Sequence, residues 1–164
     1  MRCDRRAWRT AVAVVTAGCL LTLATITGVR WLAAGDSVVI VPPAGATERL
    51  PEGGYESVVD NETADVYRIL DSDRGKPAVG VYAMPPATTP DQVVAVVAGQ
   101  LDGWRQRGDC ADTGKRVISC RWEEQARWWP RTVRVELMRP PPTDLQENYP
   151  WPDITVLIIG SGRG

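Results

Sequence analysis

The chain contains no histidine and no phenylalanine, and only two of its 164 residues are lysine. Without imidazole there is no Ser-His-Asp or Cys-His couple, no His-ligated metal, and no His-based switch near neutral pH. Without Phe, a core must be filled by aliphatics and by seven Trp and four Tyr. Lys76 and Lys115 both fall in turn-like sequence, which fits a solvated ammonium better than a tuned catalytic amine. No Walker loop and no dinucleotide fingerprint is present, so no cofactor is implied. Ser57, Ser72, Ser119 and Ser161 have no His partner and no nucleophile-elbow context. Glu123 and Glu124 are adjacent, so on a strand they point to opposite faces and cannot act as a pair. These absences favour a non-enzymatic protein with no metal site.

What the chain does have is Thr10–Val29, twenty residues with no charge and no Pro. At ~1.5 Å per residue that makes roughly 30 Å of helix, about one bilayer core. Arg2, Arg5, Arg6 and Arg9 precede it, Arg30 follows it, and Trp8 and Trp31 bracket it as interfacial aromatics do. The Arg bias predicts a cytoplasmic N-terminus and an exported remainder. The expected layout is a cytoplasmic tail at 1–9, a transmembrane signal anchor at 10–30, an extracytoplasmic tether at 31–62 and an extracytoplasmic domain at 63–164. Two other fates stay open: cleavage after Leu32-Ala33-Ala34 or Ala33-Ala34-Gly35, and lipidation at Cys19 within Thr16-Ala17-Gly18-Cys19. Ala24 and Gly28 are four apart and suit close packing of two spans, a weak sign that leaves the oligomeric state undetermined. From residue 31 onward 14 Lys/Arg face 19 Asp/Glu. That acidic balance argues against a nucleic-acid partner held by bulk charge.

Cys110 and Cys120 are the only cysteines in the exported part, and an oxidising compartment favours a disulfide between them. Gly35 to Asn61 is rich in Pro and Gly and reads as a tether, with Val38–Val41 as an edge-strand candidate. Ala64–Asp71 and Ala78–Met84 read as a β-hairpin around Ser72–Pro77. Thr89-Pro90-Asp91-Gln92 is a capping-box helix start. Val93, Val97, Leu101 and Trp104 continue at helical spacing, and Gly108 is the expected stop. Arg116–Glu124 and Arg131–Met138 alternate as half-buried strands, and Ile154–Ile159 is apolar enough for a central one. The predicted fold is α+β in the order ββαβββ. It is a mostly antiparallel sheet of about five strands, with one helix on one face, behind an N-terminal transmembrane helix.

The layout of Tyr82, then Pro90-x-x-Val93-x-x-x-Val97, then Leu101-x-x-Trp104 and a later disulfide-bearing strand resembles small membrane-anchored exported proteins of high-GC Gram-positive bacteria. The Arg-rich, Lys-poor composition points the same way. The resemblance implies a cell-envelope location and transfers no active-site residue. The candidate interaction surface is aromatic: Trp128, Trp129, Tyr149 and Trp151, the last two on the proline-rich arm Arg139–Pro152. The expected function is an anchored extracytoplasmic interaction or accessory module whose partner is an envelope protein or polymer. The alternative is a small-ligand or envelope-polymer binding domain, marked by an apolar pocket beneath the helix. A carboxylate-dependent enzyme is the least favoured class.

Overall fold

The computed structural model of the chain describes residues 5–33, 36–71, 75–86, 88–108, 110, 116–125, 130–141 and 151–163. It divides into two units, Met1–Ala34 and Gly35–Gly164. The first is one helix, α1 (Arg5–Ala33). Its Ala11–Val29 stretch, with mean hydropathy 2.1, is long and apolar enough to cross a membrane. Four hydroxyls in this stretch bond their own helix: Thr16, Thr22, Thr25 and Thr27 each donate to the carbonyl four residues back at 2.8–2.9 Å. Each O–H therefore needs no partner from lipid, which lowers the cost of Thr in an apolar medium.

The second unit contains α2 (Glu56–Leu70), β1 (Ala78–Met84), α3 (Pro90–Ala98), β2 (Trp104–Arg107), β3 (Val117–Glu124), β4 (Thr132–Met138) and β5 (Thr155–Gly162). The strands form one antiparallel sheet in the order β1-β5-β4-β3-β2. The α+β class and the five-strand sheet match the sequence reading. The order ββαβββ does not, because Ala64–Asp71 is no strand: residues 64–70 form the second half of α2. Val66 and Leu70 are four apart, a spacing that fits both a strand face and a helix face. Tyr55 and Val59 upstream break the tie, since 55, 59, 66 and 70 all fall on one helical stripe and all are buried. Tyr55 at the cap position makes no side-chain cap, so the usual start signal is missing. Glu56 substitutes in part by accepting the Gly53 N–H at 2.8 Å.

The second helix start is the one the sequence shows. Thr89 Oγ1 accepts from the Gln92 N–H, and Gln92 Oε1 accepts from the Thr89 N–H at 3.1 Å. The helix ends at Ala98, not near Gly108. Gly103 at φ 73° turns the chain, and Trp104 opens the short edge strand β2. Two helices, not one, therefore serve the sheet.

Each face of the sheet has its own core. Val93, Val97 and Leu101 pack with Ile118, Cys120, Trp122, Val133, Val135, Leu137, Leu157 and Ile159 on the α3 face. Tyr55, Val59, Val66 and Leu70 of α2 pack with Met138, Val156, Ile158 and Trp151 on the other. The expected central strand is confirmed: every residue of β5 is buried, between β1 and β4. Its two glycines let α2 approach. A Cβ at Gly160 would lie 2.5 Å from Leu70 Cδ1 and 2.6 Å from Val66 Cγ1.

The segment read as a tether is largely built into this unit. Val38 N–H donates to Ser161 Oγ at 2.7 Å, and Gln100 exchanges two 2.9 Å bonds with the Val41 backbone. Ile40 is buried, and Thr47 forms a bridge with Ala83. Val38–Val41 forms no regular strand. Residues 56–62, also assigned to the tether by sequence, are the first turns of α2.

Candidate functional site

Among the described residues, the α2 face is only half covered. The helix packs on β1 and β5, and Tyr55 with Trp151 closes one end over Met138 and Val117. No helix among the described residues covers the rest of β4, β3 and β2 on that side. Period-2 alternation and antiparallel register decide what this open half displays. Arg107 of β2 stands opposite Arg121 of β3, which stands opposite Arg134 of β4. Arg105 stands opposite Glu123, which stands opposite Thr132. Ser119 stands opposite Glu136.

Like charges directly across strands repel, so this row requires compensation. Glu123 supplies it between two arginines, accepting from Arg107 Nε at 2.9 Å and from Arg121 Nη2 at 2.7 Å. Glu136 takes Arg134 at 2.8 Å and Ser119 Oγ at 3.4 Å, all through Oε1. Glu136 is 3% exposed, and its Oε2 has no hydrogen-bond partner among the described residues. Three guanidinium groups thus share these two carboxylates, and Arg105 stands beside them. The surplus lies on the outer side, where Arg107 and Arg121 keep about half their side-chain surface in water (52% and 46%).

Beside this basic floor, α2 forms an acidic ridge. Its solvent side carries Glu56, Asp60 and Asp65 against Arg68, which pairs with Asp65 at 2.8 Å. At the inner corner sits Glu62. Burial, then the charges of Glu136 and Asp65, push its carboxyl above the ordinary value, against opposing pulls from Arg134 and Arg116. The site is therefore a step: a negative helix standing ~10 Å proud of a positive sheet, by helix diameter.

The other candidates are smaller or lie elsewhere. An apolar recess of about 170 Å³ lies between Val38–Ile40 and β1, against Tyr82 and Ile159. It sits beside the β1 edge, not under α3, and falls below the ~300 Å³ at which small-molecule sites begin. A polar recess of about 220 Å³ at the β2–β3 end is lined by Arg105, Arg107, Glu123, Glu124, Gln125 and Pro130. No group of three His, Cys, Asp or Glu among the described residues could hold a metal ion.

Cys110 and Cys120 form a disulfide, Cα–Cα 5.1 Å, buried in the core of the α3 face. Of the aromatic candidates, Trp128, Trp129 and Tyr149 lie outside the described residues. Trp151 is 6% exposed, so it is a core ring and no part of an exposed surface. It packs on Tyr55 at 4.8 Å, donates its indole N–H to the Ile154 carbonyl, and carries the Arg116 guanidinium 4.9 Å from its centroid. The arginine row was not among the residues singled out by sequence. No family model matches the chain, and neither does any curated protein or solved structure.

Proposed function

We propose that this chain is a membrane-anchored interaction module of the cell envelope, oriented with its N-terminus in the cytoplasm and residues 36–164 outside. The orientation rests on the four arginines before the span against one directly after it. The observation that carries the function is the half-open sheet face, with its exposed Arg105, Arg107 and Arg121 beside an acidic helix. No helix among the described residues covers that half of the face, and its charge pattern suits recognition more than solubility. Small-ligand binding is the weaker reading, since the apolar recess is under-sized.

A photoreactive residue placed at position 105 or 107 of the full chain in native membranes tests this. Protein adducts are expected from both positions and not from position 96, on the exposed side of α3. Adducts of equal yield from position 96, or none from 105 and 107, would remove the basis of the reading.

A further inference from the structure

We infer that the step on the α2 face docks a second copy of this chain, α2 of each copy seated on the arginine floor of the other. The inference rests on the interaction reading above and names its partner.

The exposed floor and the solvent side of the ridge carry opposite net charge. The floor displays Arg105, Arg107 and Arg121 against Glu123, three minus one, or +2. The ridge displays Glu56, Asp60 and Asp65 against Arg68, one minus three, or −2. Both lie on one face of one molecule, side by side, which is what a two-fold contact requires.

Geometry then selects the axis. Tyr55 packs on Trp151, just before β5, and Leu70 lies against Gly160 and Gly162 near its end, so α2 runs along β5 in the same direction. A two-fold axis parallel to α2 and lying along the step edge carries each ridge onto the opposite floor. An in-plane axis perpendicular to α2 would set ridge on ridge. The permitted axis keeps α2 of both copies pointing the same way along it.

The same relief excludes a flat anionic surface. A bilayer approaching this face meets Glu56, Asp60 and Asp65 about 10 Å before it reaches the arginines, by helix diameter. The occupant must be an acidic ridge that enters the step, and α2 has that shape.

The contact is modest. A ridge of 15 residues is roughly 22 Å long and 10 Å wide. One ridge plus one floor then gives a projected footprint of about 440 Å² per copy, against about 800 Å² for a standard interface. Self-association is therefore weak in dilute solution and depends on confinement in the membrane, which raises the effective concentration.

Two differently tagged full-length chains, each with Cys3→Ser and Cys19→Ser, are co-expressed in membranes. One carries Asp60→Cys and the other Arg121→Cys. Oxidation is expected to give a covalent dimer of twice 18.0 kDa holding both tags, while Val96→Cys with Arg121→Cys gives none. Arg107→Glu with Arg121→Glu in both tagged chains is expected to lower resonance energy transfer between the two tags in intact membranes at least tenfold. Adding Asp60→Arg and Asp65→Arg to the same chains restores it, which separates lost docking from lost folding. No Asp60–Arg121 cross-link, or a Val96 cross-link of equal yield, overturns the inference. If copies do not cross-link but position 105 still gives adducts with a different protein, self-docking fails and the interaction reading stands. If position 105 gives lipid adducts alone, both fail.

Discussion

Gly160→Ala tests whether α2 is seated as described. In β5 the added methyl would lie 2.5 Å from Leu70 Cδ1 and 2.6 Å from Val66 Cγ1. Leu70 can rotate a methyl away. Val66 cannot do so easily, since it is β-branched and fully buried. Overpacking of this kind costs about 1–3 kcal/mol, and the better strand propensity of Ala returns about 0.5–1. A net loss of roughly 1–2 kcal/mol lowers Tm by about 3–10 °C for a unit of this size. Thermal unfolding by near-UV circular dichroism, which reads the buried Trp rings, measures it. Val66→Ala removes the opposing methyl, so the double variant should be less destabilised than the sum by at least ~0.5 kcal/mol. An unchanged or raised Tm for Gly160→Ala, or strict additivity with Val66→Ala, would show that α2 does not lie on β5, and the step would go with it.

Trp151→Ala should cost about 3–5 kcal/mol by thermal or urea unfolding, because the ring is core against Tyr55; a loss under 1 kcal/mol would return it to the surface. Reduction of Cys110–Cys120, which closes a separation of 10 residues, should cost roughly 3 kcal/mol. Alkylation of the unreduced full chain should then modify Cys3 and Cys19 and leave the buried pair untouched, as intact mass will show. Glu62→Gln should raise Tm at pH 7. The native carboxyl titrates above its ordinary 4.5, so its charged form is disfavoured in the fold and the penalty is full above the folded pKa. The advantage of the variant should shrink as pH falls through that value toward 4.5, and a pH-independent difference would refute the assigned cause.

How much was legible in the chain follows from periodicity. Thr10–Val29, the Thr89–Gln92 capping box and the alternation in β3 and β4 are local patterns, and each appears where it was read. The helix α2 was missed because Val66 and Leu70 satisfy two periods at once, and because Tyr55 offers no cap to announce the start. The strand β2 was missed because four residues are too few to show alternation, and because Trp104 continues the helical stripe of Val93, Val97 and Leu101. The site was not legible. Arg107, Arg121 and Arg134 sit on three strands, and only the register of two separate pairings sets them in one row. Trp151 looked like a surface aromatic on a proline-rich arm. Its burial depends on Tyr55, which lies in sequence read as a tether.

The arginine row is poorly explained by stability. Its two outer ion pairs, both to Glu123, are partly exposed, and such pairs are worth about 0–1 kcal/mol each. That gain is set against the repulsion of Arg107, Arg121 and Arg134 placed directly opposite one another, a cost of similar size. The net effect on folding is near zero. Solubility does not explain it either. The exported part is already acidic by 14 Lys/Arg to 19 Asp/Glu, and +2 on the open floor reduces net charge. Replacing the floor by Thr and Ser would leave the fold and its solubility about where they are. It would remove a place where opposite charges are sorted onto neighbouring surfaces. Such sorting produces a directed field across a step, and fields of that kind fix docking register and exclude wrong partners more than they stabilise a monomer. Neutralising the pair by Arg107→Gln with Arg121→Gln should accordingly weaken association while leaving stability within about 1 kcal/mol of the parent chain.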